Sequence, residues 1–252
     1  MNKNLSGLVI TYNEERHIGK CIALLFQVCN EVIIIDSNSS DQTVKIAEDL
    51  GAKVISQKFL GDGPQRIFGL QFCTNDWIIN VDADEYLDTD AIDFFRKGNF
   101  FTQPYDAYAF RRKNFIDKTW VKYAGFYPDY TIRFFNKQTA SPSQAMVHQN
   151  IVAQNPRNEP VHLLHYAYTS LGQLIQKTNS YTDIQAKQMF EQGEKSSFLS
   201  AFGHGTFSFF KHFFIKKGFL GGVYGFTVAS ITAFNSYLKY VKLIEKWKNK
   251  DL

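Results

Sequence analysis

Asp82 and Asp84 close the apolar run Trp77-Ile78-Ile79-Asn80-Val81, with Glu85 directly behind them. Carboxylates two residues apart at a strand end can face one ligand together, and their hard oxygens suit Mg²⁺ or Mn²⁺ bridging a diphosphate. On its own, Asp-x-Asp also describes a solvated strand end. Asp36 ends a second apolar run, Val32-Ile33-Ile34-Ile35, and leads into Ser37-Asn38-Ser39-Ser40. A carboxylate there can accept from the imide N–H of a uracil or from a ribose hydroxyl. It can also cap the next helix, although Ser40 and Asp41 are better placed for that. Gln65 and Arg66 follow the flexible Gly61-Asp62-Gly63-Pro64, and Arg66 reads either as a phosphate partner or as a surface arginine on a helix start. His162 and His165 lie three apart in an apolar run with no third Cys or Asp near them, which reads as packing of the core or of an acceptor site.

These groups need elements that bring them together. LSGLVITYN reads as a buried strand ending in a polar loop at Tyr12-Asn13-Glu14. Glu14 to Val28 carries a helical stripe of Ile18, Ile22, Leu25 and Phe26, and EVIIID is a strand covered on both faces. A helix follows, with Val44, Ala47 and Leu50 inward and Gly51 closing it. AKVISQKF is a third strand, Pro64–Phe72 a short helix and DWIINVDADE a fourth strand. Strand–helix alternation with short connections predicts a parallel α/β sheet, whose ligands collect at the carboxyl ends of the strands. Tyr12, Asn13, Glu14, Asp36, Asp82 and Asp84 all fall at such ends. After Tyr86 the pattern changes: DAYAFRRKNFI and YTIRFFNK read as antiparallel strands, and from about Ser170 helices dominate.

Composition narrows the class. In 252 residues, 44% hydrophobic and 21% charged residues are globular values, which excludes disordered and collagen-like chains. Cys21, Cys29 and Cys73 have no short paired spacing, so neither a disulfide framework nor a structural zinc site is expected, and a reducing compartment fits better. The first apolar run is too short and too soon acidic for a secretory signal, so a cytoplasmic location is expected. Charge is unevenly placed. Residues 201–252 hold eight lysines against two carboxylates, a net +6, whereas the first 200 carry 20 cations against 22 anions. A basic tail rich in Phe suggests docking on something anionic.

VITYNEE, EVIIIDSNSSDQT, GDGPQR and WIINVDADE, in this order, resemble a family 2 glycosyltransferase of the GT-A fold. YAFRRKNFIDKTWVKYAGFYPDYTIRFFNK, MVHQN, LLHYAYTS and KKGFLGGVYGF resemble the branch of lipopolysaccharide inner-core β-1,4-glucosyltransferases that act on a heptose. The resemblance covers nearly the whole chain. It implies a Rossmann-like, mostly parallel GT-A domain over residues 1–195, with a nucleotide half (1–86) and an acceptor half (87–195). Residues 196–252 would form a helical, aromatic-rich, basic extension that associates with a membrane. It implies an inverting, metal-dependent transfer of glucose from UDP-glucose. The alternative is a family 2 enzyme with another UDP-hexose and a capsule or other glycolipid acceptor. Tyr12, Asn13, Glu14, Asp36, Gln65, Arg66 and Asp82 are then nucleotide-sugar residues, and Asp84 is the principal ligand of Mg²⁺ or Mn²⁺. Where the family continues Gln-Arg with Asn, this chain has Ile67.

The general base is not given by the resemblance. Relatives of this branch often read His-Glu where this chain reads His148-Gln149, and a glutamine cannot take a proton at neutral pH. Asp129, after Phe126-Tyr127-Pro128, is the replacement candidate, with a turn residue as its other reading. His148 is the second candidate. In the tail, the 21 residues between Lys217 and Lys239 carry no formal charge, a length that could span a bilayer. Four glycines and several hydroxyl and amide residues make them a poor spanning helix. Phe interleaved with Lys suits the headgroup region instead. The expected partners are UDP-glucose, a lipid-linked inner-core acceptor and the cytoplasmic leaflet of the inner membrane, with attachment peripheral and no nucleic acid bound.

Overall fold

The apolar runs of the first 82 residues fold as the alternation predicts. The structure, a computed structural model, describes residues 4–145 and 150–250. In order come β1 (Leu5–Thr11), α1 (Ile18–Leu25), β2 (Glu31–Asp36), α2 (Thr43–Asp49), β3 (Lys53–Ser56), α3 (Asp62–Leu70) and β4 (Trp77–Asp82). Strands β3, β2, β1 and β4 lie side by side and parallel. Burial on both faces is why β1, β2 and β4 are near-continuous apolar runs. α1 buries the predicted Ile18, Ile22 and Leu25 together with Cys21. α2 starts later than the sequence suggests, at Thr43, whose N–H and hydroxyl both donate to Asp41. Of its expected inward residues Ala47 is buried and Leu50 is exposed. α3 lies hard against the sheet at Gly69, where a Cβ would stand 2.6 Å from Leu8 Cδ1 and 2.9 Å from Ile35 Cγ1. Only glycine permits that approach.

Beyond Asp82 the sheet turns antiparallel. The elements are β5 (Glu85–Leu87), α4 (Thr89–Lys97), β6 (Ala107–Ile116), β7 (Thr119–Trp120), β8 (Asp129–Asn136), β9 (Ser141–Pro142), β10 (Ile151–Val152) and β11 (Pro156–Tyr168). The full sheet order is β3-β2-β1-β4-β8-β6-β11-β5, with β7 added to β6, while β9 and β10 form a separate pair. β8 runs antiparallel to both β4 and β6, as the residue pattern predicts. Residues 139–160 contain β9 and β10 and the start of β11. Many of the phenylalanines are explained here: Trp77, Phe94, Phe95, Phe100, Tyr108, Phe110 and Phe134 interlock with ring centroids 4.7–6.3 Å apart. Such pairs add about 0.5–1.5 kcal/mol each beyond their buried area.

The helical region comprises α5 (Leu171–Glu191), α6 (Phe198–Phe210) and α7 (Gly222–Lys250). Ser170 and Ser197 cap the first two, accepting from the N–H of Gln173 and Ser200. A π-turn over Lys211–Ile215 and a 3₁₀ turn over Gly218–Gly221 connect α6 to α7. Two units separate by their internal contacts. One contains the residues up to Arg112 together with Asp129–His165, and the other Lys113–Pro128 with Tyr166 onward. The second unit has its own core around Ile116, Val121, Ala124, Leu174, Val228 and Ala229. The boundary expected at residue 196 falls between α5 and α6, inside this second unit. Among the described residues, no helix is long and apolar enough to cross a membrane.

Candidate active site

Parallel pairing carries the chemistry-bearing residues to one edge. Thr11 at the end of β1 is level with Asp36 on β2, and Ile10 is level with Asp82 on β4. Tyr12-Asn13-Glu14, Asp36 and Asp82-Ala83-Asp84 therefore lie at neighbouring carboxyl ends, as predicted. The first two loops are laced together. Asn13, in the left-handed region at φ 54°, donates its N–H to Ser39 Oγ and accepts from the N–H of Ser40 through Oδ1. Glu14 donates its N–H to Thr43 Oγ1. Tyr12 is left 60% exposed beside this lattice, so its ring is available to a ligand. Asp36 is buried and accepts from the N–H and the hydroxyl of Ser39 at 2.9 and 2.5 Å. It thus folds its own loop rather than capping α2.

Gln65 and Arg66 of α3 are turned to protein partners, with Arg66 Nε buried and lacking a hydrogen bond among the described residues. Gln65 is buried; its Oε1 accepts from the N–H of Leu60, and its Nε2 donates to Ser37 Oγ and to the carbonyl of Gln57. That side chain ties together the loops after β2 and β3. Arg66 donates to Asn80 Oδ1 at 2.8 Å and is paired with Asp82. The reading of Arg66 as a surface arginine is corrected by its 3% exposure.

Around the Asp-x-Asp turn lies a chain of ion pairs that the sequence reasoning missed. Asp82 is gripped by Arg66 on one oxygen and by Arg133 of β8 on the other, the latter at 2.6 Å. Glu85, fully buried, meets Arg133 at 2.7 Å and Arg112 of β6 at 3.3 Å. Arg112 passes on to Asp129, level with it in the β6–β8 register, at 2.8–2.9 Å. Asp129 thus stands at the start of β8, held by an arginine that also touches the Asp-x-Asp network. His148 lies outside the described residues. The missed residues had a signal: Arg112 and Arg133 are charges inside the apolar runs AYAFRR and TIRFF, where an unpaired guanidinium would be costly.

The electrostatics separate the carboxylates. Burial acts to raise Asp82 and Glu85, but the guanidinium of Arg133, joined by Arg66 at Asp82 and Arg112 at Glu85, outweighs it and holds both below the usual carboxylate range. Among the described residues no arginine lies within ion-pair distance of Asp84, and His165 Nε2 stands 3.7 Å from its Oδ2. Burial, with the charges of Asp82, Glu85 and Glu14 added, pushes Asp84 up to about 6 in spite of His165. Four carboxylates (Asp82, Asp84, Glu85, Asp129) therefore meet three guanidinium groups, and the uncompensated charge falls on Asp84. Oxygen donors with surplus negative charge fit Mg²⁺ or Mn²⁺. A second acidic group, Asp88, Asp90 and His162, has ligand atoms within 4.8 Å of one another. Its atoms already serve the backbone: Asp88 caps α4 at Thr89, and Asp90 receives both the N–H and Nδ1 of His162. Neither histidine is simply packed, as the sequence suggested, since each faces a carboxylate. Cys21, Cys29 and Cys73 are buried and are not joined in disulfides.

A sheet of this order, with polar loops and an acidic turn at its carboxyl edge, defines an α/β enzyme of the GT-A class. The chain belongs to glycosyltransferase family 2, whose model, described as glycosyl transferase family 2, matches residues 6–154. An uncharacterized glycosyltransferase of Rickettsia conorii is 35% identical over 97% of this chain and 93% of its own length. A lipopolysaccharide core biosynthesis glycosyltransferase of Rhizobium meliloti, LpsC, is 26% identical over 96% of this chain and 92% of its own. Among solved structures, glucosyl-3-phosphoglycerate synthase from Mycobacterium tuberculosis, in complex with Mn²⁺, UDP and its product, is 24% identical. It overlaps 43% of either chain at a TM-score of 0.37, a partial likeness from which nothing about function follows.

Proposed function

We propose that this glycosyltransferase moves glucose from UDP-glucose to a heptose of the lipopolysaccharide or lipooligosaccharide inner core, with inversion and with Mg²⁺ or Mn²⁺ bound. The observation that carries the reading is the pairing pattern at the acidic turn: arginines neutralise Asp82 and Glu85, and Asp84 alone keeps charge for a cation. The resemblance of the motifs to the inner-core branch and the name of the Rhizobium relative support the acceptor class. Tyr12, Asn13, Glu14 and Asp36 would line the nucleotide, with Gln65 fixing the loops around it and Arg66 holding Asp82 at its rim.

Asp84 would hold the cation, which when bound would supply positive charge to offset what develops on the diphosphate. The chain's own task is to place and deprotonate the acceptor. An acceptor hydroxyl attacks the anomeric carbon opposite UDP; its proton passes to a carboxylate as the bond to the diphosphate breaks. We assign that carboxylate to Asp129, whose Oδ2 is fixed by Arg112 so that β6 sets its direction. General-base help of this kind is worth roughly 10²–10⁴-fold. The enzyme is placed on the inner face of the cytoplasmic membrane, attached peripherally, where a lipid-linked acceptor is found.

The test is UDP release by purified protein with Mg²⁺ or Mn²⁺ and a panel of UDP-sugars, with and without truncated inner-core lipopolysaccharide. Turnover confined to UDP-glucose and the heptose-bearing acceptor is expected. Turnover with another UDP-hexose, or with a capsule or other glycolipid acceptor alone, would replace the donor or acceptor while leaving the class intact.

A further inference from the structure

Of the large apolar side chains this protein exposes, twelve lie within Phe198–Phe234, all of them in the second unit. They crowd toward the turn between α6 and α7: Phe210, Phe214, Ile215, Phe219, Leu220 and Val223 are each at least half exposed. This turn is rigidly built. Phe210 stacks on Phe214 and Phe209 on Phe213, with centroids 5.6 and 5.3 Å apart. The chain reverses where Gly225 meets the carbonyl of Gly218, so closely that a Cβ at Gly225 would fall 2.0 Å from that oxygen. Side chains that a fold could have turned inward are thus held outward by a fixed backbone.

Charge indicates what covers them. From Lys195 to Ile244 there is no Asp or Glu, and the turn itself carries Lys211, Lys216 and Lys217. All three lysines are exposed, and none is ion-paired among the described residues. An apolar partner protein would account for the phenylalanines but not for unpaired lysines among them and fifty residues without an anion. Apolar side chains that insert below the headgroups while lysines meet lipid phosphates account for both. The same uncharged stretch does not form a spanning helix.

We propose that the α6–α7 turn, residues 210–223, docks this enzyme on an anionic phospholipid bilayer by partial insertion, with Phe214, Ile215, Phe219 and Leu220 in the acyl boundary and Lys211, Lys216 and Lys217 at the phosphates. This rests on the peripheral location proposed above and names the surface responsible. The docking is reversible, since among the described residues no helix is long and apolar enough to cross the bilayer, and salt-sensitive, since lysines meet the phosphates.

Flotation of the full-length protein with phosphatidylglycerol-containing and pure phosphatidylcholine vesicles tests it, without reference to turnover. The wild type should float with the anionic vesicles and much less with the neutral ones. Lys216→Glu with Lys217→Glu should weaken partitioning at least about fivefold per lysine. Phe214→Ser with Ile215→Ser should abolish flotation, while UDP binding in solution is kept as a check on folding. Since the three native cysteines are buried, Phe219→Cys can carry one environment-sensitive dye. Its emission should shift to the blue on anionic vesicles. Wild type that stays with the pellet, or variants that float as well as wild type, would overturn the proposal. So would self-association that the Phe214→Ser, Ile215→Ser variant alone disrupts in the absence of flotation, because a second copy would then cover the turn. Flotation without glucose transfer leaves the docking intact and removes only the donor or acceptor assignment.

Discussion

A buried arginine in a strand is stable only if it is paired, and Arg133 is paired twice, with Asp82 and with Glu85. Removing it leaves half-buried Asp82 to Arg66 alone and fully buried Glu85 to the longer contact with Arg112 alone. Arg133→Met should therefore cost about 3–5 kcal/mol, the usual consequence of deleting one partner of a buried pair. Adding Glu85→Gln to that variant should recover part of the loss, because the buried charge that has lost its shorter ion pair disappears. Denaturant unfolding measures both, and a loss below about 1 kcal/mol for the single variant would mean that Arg133 does not hold the site. Asp129 gives a different signature. Asp129→Asn keeps the shape and weakens the contact to Arg112, so metal-dependent UDP binding should survive while turnover falls roughly 10²–10⁴-fold. Isothermal titration with UDP, set against the turnover assay, separates the two. Near-normal turnover would end the base assignment and return attention to His148.

Elements decide how much of this was readable in advance. Asp82 and Asp84 were legible because an apolar strand run ends at a fixed residue, and parallel strands bring such ends together. Arg133 as their partner was not, because 51 residues separate Asp82 from it and the β4–β8 neighbourhood is a long-range event. Strand β11 was read only as an apolar run, since its exposed first half is polar and its second half lacks clean alternation. Gln65 looked like a ligand group because its burial is set by two loops that local pattern does not reveal. The glycines of the α6–α7 turn show the same limit. Sequence reads Gly218, Gly221, Gly222 and Gly225 alike, whereas the structure distinguishes them. A Cβ at Gly221 would lie 3.5 Å from the Tyr123 ring, ordinary contact, but at Gly225 it meets backbone at 2.0 Å. Gly225→Ala should cost about 1–3 kcal/mol by overpacking, and Gly221→Ala within about 0.5 kcal/mol. Thermal unfolding would show the difference, and equal effects would refute the packing account.

At the scale of the whole molecule, the surplus charge on Asp84 couples folding to pH and to metal. Asp84 titrates near 6 in the fold against an ordinary 3.8, so the folded chain holds that proton more tightly than the unfolded one. The stability this proton contributes is full below 3.8 and is lost as pH rises through about 6. Asp82 and Glu85, held low, act in the opposite sense: their contribution is present above the ordinary carboxylate values and is lost as acid protonates them in the fold. At pH 7.5 without metal the fold therefore carries an unfavourable charge at Asp84, and Asp84→Asn should raise stability by about 1–3 kcal/mol. Metal and UDP supply the missing partner. Ligands that bind only the folded chain stabilise it by about 2.7 kcal/mol at a hundredfold excess over Kd. For a chain of this length that corresponds to a rise in Tm of roughly 5–10 °C. The rise should appear with Mn²⁺ plus UDP at pH 7.5, shrink at pH 5 where the cation must displace a proton from Asp84, and vanish in Asp84→Asn even though that variant starts from a higher Tm. A rise that persists in Asp84→Asn and disappears in Asp90→Asn would move the cation to the Asp88-Asp90-His162 group and leave the acidic turn a structural one.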